Sequence, residues 1–248
     1  MLSYIQTVDE IVKANPELAI LALGSIEQHG PHLPVGTDWM IADAFGKGIA
    51  KATGGYLLPV LPISTCREHM GKKGSVWMDS DAFFHMLNSI LMCLKEQGFK
   101  KVVTLQCHGG IFMTPVIREV NAKNHPDFMV VNIDFFTMPN PDGTLEGTPP
   151  GQIDMHAGEA ETSLILHIAP ETVKMELAEA CWPPVPRSFL NYGSIFRAAG
   201  SGVWGDPTRA TAEKGRLMLE HKIKCAAAEM ERAFAYMKSK EKFGYSYF

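Results

Sequence analysis

The run Leu18-Ala19-Ile20-Leu21-Ala22-Leu23 constrains the fold most. Six consecutive apolar residues bounded by Gly24 read as a buried strand. The polarity then reverses at once, in Gly24-Ser25-Ile26-Glu27-Gln28-His29-Gly30-Pro31-His32-Leu33-Pro34-Val35-Gly36-Thr37-Asp38. Gly and Pro make this a loop at the carboxyl end of a strand, the edge at which open α/β sheets bind ligands. Glu27, His29 and Asp38 together suit a divalent cation such as Zn²⁺ or Mn²⁺. Taken alone, the stretch also fits a polar turn whose His and Asp hydrogen-bond the backbone.

The same arrangement recurs. Lys101-Val102-Val103-Thr104-Leu105 empties into Gln106-Cys107-His108-Gly109-Gly110. A third polar cluster, Asp154-Met155-His156-Ala157-Gly158-Glu159-Ala160-Glu161-Thr162-Ser163, precedes Leu164-Ile165-Leu166. Three clusters supplying His, Glu and Asp can converge on one site at a sheet edge. Cys107, beside His108, reads as a small buried residue rather than a soft ligand or nucleophile.

Between the clusters, apolar periodicity alternates. Helices are expected over Thr7–Ala14 (Thr7 and Glu10 form a capping box), Trp39–Ala52, Asp81–Gln97 and Met113–Asn124. A further helix starts near Ala157, and a long one runs over Thr208–Lys238 with Leu217, Leu219, Ala226 and Met230 on its apolar face. The helix over 81–97 turns Phe84, Leu87, Ile90, Leu91 and Leu94 inward, with Asp79 or Ser80 as cap. Further strands are expected over Tyr56–Leu61 and Phe128–Phe135. The alternation predicts an α/β fold: a three-layer α/β/α arrangement around a mostly parallel central sheet. Residues 1–248 are expected to form a single domain. The Pro- and Gly-rich stretch 138–151 is a loop, residues 182–204 are irregular, and 239–248 form a loose tail whose aromatics dock on a neighbour. The polar stretch 66–76, containing Glu68 and His69, is long for a plain connection; it is either a functional loop or a solvated surface one.

Composition excludes several classes. The formal net charge of -4 favours neither nucleic acid nor an anionic membrane surface. No apolar run approaches a membrane span, and the first residues lack a basic segment followed by an apolar one. Five cysteines without paired spacing point to free thiols in a reduced, cytoplasmic setting. No glycine fingerprint of a dinucleotide fold, no phosphate-binding loop and no nucleophile-elbow serine motif is present.

The three clusters resemble those of the creatininase family of metal-dependent hydrolases, whose pattern is close to G-S-x-E-Q-H-G-P-H-L-P-x-x-T-D, N-G-H-G-G-N and H-A-G-x-x-E-T-S. The first is nearly complete over Gly24–Asp38 and the third complete over His156–Ser163. The middle one departs: Gln106-Cys107 replaces Asn-Gly, and Ile111 replaces the final Asn. Gly205-Asp206-Pro207 and Glu213-Lys214-Gly215 also resemble the family's C-terminal pattern. The resemblance implies one or two divalent ions per chain, Zn²⁺ foremost, with Mn²⁺ or Fe²⁺ as alternatives. Glu27, Asp38 and His108 would hold one ion, and His29 with a bridging Asp38 would begin a second site. Creatinine-opening members add a Glu two residues after the middle His; here that position is Gly110, and Glu161 is the replacement. His156 is the implied acid–base residue, with hydrogen-bonding support as its alternative role, and His32 stabilises the loop. The implied reaction is hydrolysis of a carbon–nitrogen bond in a small cyclic amide or formamide by metal-activated water. The alternatives are opening of a sugar- or inositol-derived cyclic ketone and, less favoured, a non-catalytic metal-binding module. The substrate is thus a small molecule, with neither nucleic acid nor membrane as partner, and the family implies a homo-oligomer, a hexamer.

Overall fold

A computed structural model describes residues 1–145 and 147–238. The expected tail at 239–248 lies outside them. Four strands, β1 (Leu18–Leu23), β2 (Tyr56–Leu57), β3 (Lys101–Gln106) and β4 (Met129–Asp134), form one sheet in the order β2-β1-β3-β4, with every pairing parallel. The helices are α1 (Val8–Ala14), α2 (Thr37–Thr53), α3 (Ser80–Glu96), α4 (Thr114–Asn124), α5 (Glu159–Ile168) and α6 (Ala212–Lys238).

The strand period of two sorts the core into two layers. Ile20 and Ala22 of β1, Val103 and Leu105 of β3, and Val131 and Ile133 of β4 face α2, α5 and α6, where they meet Ile41, Phe45, Leu164, Met218 and Met230. Ala19, Leu21, Leu23, Val102 and Val130 face the other way, onto Phe83, Leu87, Leu91 and Leu94 of α3 and Val120 of α4. This is the expected three-layer arrangement. Both faces of the sheet are covered, which is why β1 reads as an unbroken apolar run.

Some boundaries differ from expectation. The strand expected over 56–61 is paired as a strand only at Tyr56–Leu57 and touches β1 again through a single bridge, Leu23 to Leu61; Pro59 has no N–H to give a ladder. In α3 the fully buried aromatic is Phe83, whereas Phe84 is only partly buried. In α6, Leu217 is exposed, and Met218 and Phe234 occupy the inward stripe. The capping box of α1 is present, with Thr7 and Glu10 satisfying each other's backbone N–H groups.

One contact sets the relation between β1 and α2. Gly24 lies so close to the start of α2 that a Cβ there would fall 2.7 Å from the Cα of Trp39. Helix α2 begins at Thr37, two residues earlier than the periodicity suggests, because Asp38 and Thr37 are buried with its first turn. Asp38 therefore belongs to a helix rather than to the preceding loop.

Candidate metal centre

All the polar clusters meet at the carboxyl edge of β1 and β3. The loop after β1 carries Glu27 and His29; it is pinned by Glu27 N–H to the Val35 carbonyl at 2.9 Å and by Gln28 N–H to Ser75 Oγ at 3.0 Å. His108 follows β3. Asp38 and Glu161 stand in the first turns of α2 and α5, where the helix dipole favours a carboxylate. Glu27, His29, Asp38, His108, His156 and Glu161 are all buried, none more than 7% exposed.

Their atoms face one another. His108 Nδ1 lies 3.0 Å from Glu27 Oε2 and 3.1 Å from Asp38 Oδ2. His29 Nε2 lies 3.3 Å from Asp38 Oδ1 and 3.7 Å from Glu161 Oε2. His156 Nδ1 lies 3.8 Å from Glu27 Oε1. Three sets of side chains could each hold a metal ion: Glu27, Asp38 and His108; His29, Asp38 and Glu161; and Glu27, His29 and His156. Asp38 is common to the first two.

The backbone decides which nitrogen of each imidazole points inward. His29 Nδ1–H donates to the Glu27 carbonyl at 3.1 Å, His108 Nε2–H to the Thr65 carbonyl at 3.0 Å, and His156 Nε2–H to the Gln28 carbonyl at 2.7 Å. A carbonyl can only accept, so each ring spends its proton there and turns a lone pair toward the carboxylates. Glu27 Oε2, His29 Nε2 and Asp38 Oδ2 are buried without a hydrogen-bond partner. Buried acceptors facing acceptors are costly unless something positive lies between them, and the donor set of carboxylates and imidazoles fits a divalent cation.

With protons as the only available positive charge, the same carboxylates draw them onto the imidazoles. Burial, reinforced by Asp38, pushes the Glu27 carboxyl up to about 7 despite His108. Burial would also raise Asp38, but His29 and His108 hold it below the usual carboxylate range. Burial would lower His29 and His108, yet Asp38 with Glu161 raises the first, and Glu27 with Asp38 raises the second, well above the ordinary imidazole value. Burial, with His29 nearby, holds His156 down at about 4.

Other residues have distinct places. Glu161 Oε2 accepts the Ala157 N–H at 2.5 Å, which fixes its direction. Asp154 accepts the N–H groups of Glu159 and Ala160, both at 2.9 Å, and so caps α5 from outside the helix. His32 is set back, bonded through Nε2 to Thr162 Oγ1 at 2.9 Å. Cys107 is wholly buried in the core, and burial with Asp38 pushes its thiol up.

Three contributors were not singled out as site residues by sequence. His69, from the turn Arg67–His69, places Nε2 3.1 Å from Glu27 Oε1. Gln28 contacts both His69 and His156. The Thr65 carbonyl orients His108. The signal for His69 lies in the long polar stretch 66–76, whose Glu68-His69 and Gly74-Ser75-Val76 resemble a family segment that lines the active site; a backbone carbonyl leaves none. Glu68 stands against Gly110, where a Cβ would fall 2.0 Å from Glu68 Oε1, so this carboxylate occupies the space a side chain at 110 would take. Burial would raise Glu68, but His108 holds it below the usual range.

The cluster opens into a cavity of about 760 Å³ that extends past Phe112, Asn140, Ile153 and Lys222. Among the described residues, no helix is long and apolar enough to cross a membrane.

Comparison with known proteins places these features. The family model described as creatininase, creatinine amidohydrolase, matches residues 5–230. The mycofactocin precursor peptide peptidase of Mycobacterium ulcerans is 28% identical over 230 residues, covering 86% of this chain and 84% of that protein. The 3-dehydro-scyllo-inosose hydrolase of Thermotoga maritima is 28% identical over 247 residues, covering 87% and 78%. A creatininase variant in its Zn–Zn form shares the fold with a TM-score of 0.79 at 21% identity, covering 94% of this chain and 98% of that one. With a family match over nearly its whole length, this chain belongs to the creatininase family of metal-dependent amidohydrolases.

Proposed function

We propose that the protein hydrolyses an amide or formamide carbon–nitrogen bond at this cluster. Glu27, Asp38 and His108 would hold one divalent cation, and His29 and Glu161, again with Asp38, would hold a second. Zn²⁺ is the favoured ion. The observation that carries the reading is the set of buried, unpartnered acceptor atoms on Glu27, His29 and Asp38. Bound there, a divalent cation supplies Lewis acidity, polarising a carbonyl and lowering the pKa of water. His156 does the proton work. Its Nε2 is committed to the Gln28 carbonyl and burial keeps the ring neutral, so Nδ1 is free to take a proton and pass it to the leaving nitrogen. His69 steadies Glu27 at Oε1, the oxygen that His156 also approaches.

The size of the cavity supports a substrate larger than one small ring. A relative that acts on a peptide and one named for an inosose are equally similar to this chain, so opening of a cyclic ketone is the second reading. The test is elemental analysis of protein purified without chelator, joined to a screen of cyclic amides, formamides, short peptides and cyclic ketoses. Chelator-sensitive release of an amine or ammonia supports the first reading, and ketose opening alone supports the second. A chain that neither holds nor takes up metal overturns both.

We further propose a cytoplasmic homo-oligomer of hexameric form, with each chain a single domain. Tyr4, Ile5, Val8 and Val12 expose an apolar surface around α1, which buries no residue of its own. Light scattering and fractionation test this.

A further inference from the structure

The cavity that receives the metal cluster also contains a buried ammonium group. Lys222 of α6 is only 3% exposed, yet it lines this cavity. Its Nζ donates to the carbonyls of Phe135 and Met138, both at 2.9 Å, and lies 4.8 Å from the centre of the Phe135 ring. An ammonium has three N–H groups, so one remains. Among the described residues, no carboxylate comes within 4.0 Å of it. Buried charges are normally paired, because leaving water is costly for an ion.

Asp134, which lines the same cavity, is the acid whose charge bears most on Lys222, but it lies beyond ion-pair distance. Asp134 accepts the Phe136 N–H at 3.0 Å, Asp154 caps α5, and Glu68 stands against Gly110 and His108. Arg187, at the exposed side of the cavity, adds a second positive charge and donates to the Gly109 carbonyl at 3.0 Å. Asn140 lines the same cavity with a buried Oδ1 that has no partner. Turned about its amide, that side chain presents N–H donors instead.

We propose that Lys222, in the cavity that Asn140 also lines, forms a subsite for a carboxylate on the substrate, held away from the bond that is cleaved. The subsite rests on the hydrolase reading above and narrows it to amides carrying an anionic arm. Burial brings the Lys222 ammonium down to about 8, so it remains mostly charged at neutral pH. A carboxylate entering the cavity completes its third hydrogen bond and offsets its charge.

The test uses the metal-loaded protein and three probes of increasing length: N-formylglycine, N-formyl-β-alanine and N-formyl-γ-aminobutyrate. Each is compared with its uncharged N-methyl amide. Binding is measured by titration calorimetry and hydrolysis by formate release. At least one acid is expected to bind about ten- to a hundredfold more tightly than its amide, the range of a charge-assisted hydrogen bond. In K222M and K222Q this preference collapses to within about threefold, while K222R keeps part of it. K222Q keeps an uncharged N–H donor on a side chain one bond shorter, and unchanged circular dichroism with retained metal content shows that its loss of preference reports charge rather than misfolding. Acids that bind no better than amides, or a preference that survives K222Q, overturn the subsite. Acids that bind in a Lys222-dependent way without releasing formate support the subsite and count against formamide hydrolysis. Equal hydrolysis of acids and amides leaves the hydrolase standing and removes the subsite.

Discussion

The side-chain amide of Gln28 donates to Nδ1 of His69 at 3.0 Å. Its orientation is fixed because Oε1 of the same amide accepts the Gly30 N–H at 3.0 Å. His69 must then carry its proton on Nε2, which donates to Glu27 Oε1 at 3.1 Å. Gln28→Glu replaces the donor with an acceptor and draws the His69 proton to Nδ1. The lone pair on Nε2 then faces the Glu27 carboxylate. Activity is expected to fall about ten- to a hundredfold, as for loss of an outer hydrogen-bond partner of a metal ligand. The imidazole nitrogen shifts of His69 should report the changed tautomer; unchanged shifts and activity would discard this role for Gln28.

Asp38→Ala is expected to remove both ions and reduce activity to background, since Asp38 is common to two of the three candidate metal sets. The residue stands in the first turn of α2, so its loss also takes a favourable charge from the helix N-terminus, about 0.3–1 kcal/mol. Metal content by elemental analysis, with circular dichroism as the folding control, checks this. Two ions retained would place the bridge elsewhere.

Glu161→Gln should separate the two sites. A glutamine oxygen can still accept the Ala157 N–H, so the start of α5 survives. The site with His29 is expected to lose roughly ten- to a hundredfold in affinity or more, while that with Glu27 and His108 is largely kept. Zn²⁺ titration that still counts two wild-type sites would assign Glu161 to a supporting role and turn attention to Glu68.

The pH dependence of stability should carry a signature of Lys222. Burial lowers its pKa from 10.5 to about 8. Between those values the unfolded chain binds more protons than the folded one, so unfolding free energy rises with pH across this window. The rise expected from this group is on the order of 1–3 kcal/mol, with no slope from it below the window. Urea unfolding of wild type and Lys222→Met across the window gives the comparison; parallel curves would show that the shift is absent.

The fold was legible where side-chain period and burial coincide. β1, β3 and the helix stripes are written in apolar spacing, and two of the three polar clusters lie where the strand runs end, the third at the start of α5. Metal-ligand types were legible for the same reason: buried carboxylates and imidazoles are conspicuous after a strand. The share taken by His69 was not, because its geometry depends on a loop held in place by contacts distant in sequence, among them Gln28 with Ser75 and His69, Val76 with Ile26 and Ser194 with Met70. Lys222 was hidden by the opposite effect. A lysine in an amphipathic helix reads as solvated, and only the carbonyls of Phe135 and Met138 reveal that it turns inward. Asp38 was placed on a loop because Gly36 and Pro34 read as breakers, whereas Gly36 serves as the residue before the helix.

Gly24 has a consequence for how errors spread through this protein. It offers no ligating atom, but its α-carbon packs against the main chain of Asp38 and Trp39 and is the spacer between the strand that delivers Glu27 and His29 and the helix that delivers Asp38. Even one methyl group there acts as a wedge. It must force apart two main chains, neither of which can yield by changing rotamer. The separation between carboxylates is therefore a tolerance machined into the backbone. A substitution at Gly24 should mimic loss of a ligand, and no repacking of side chains around the cavity should repair it.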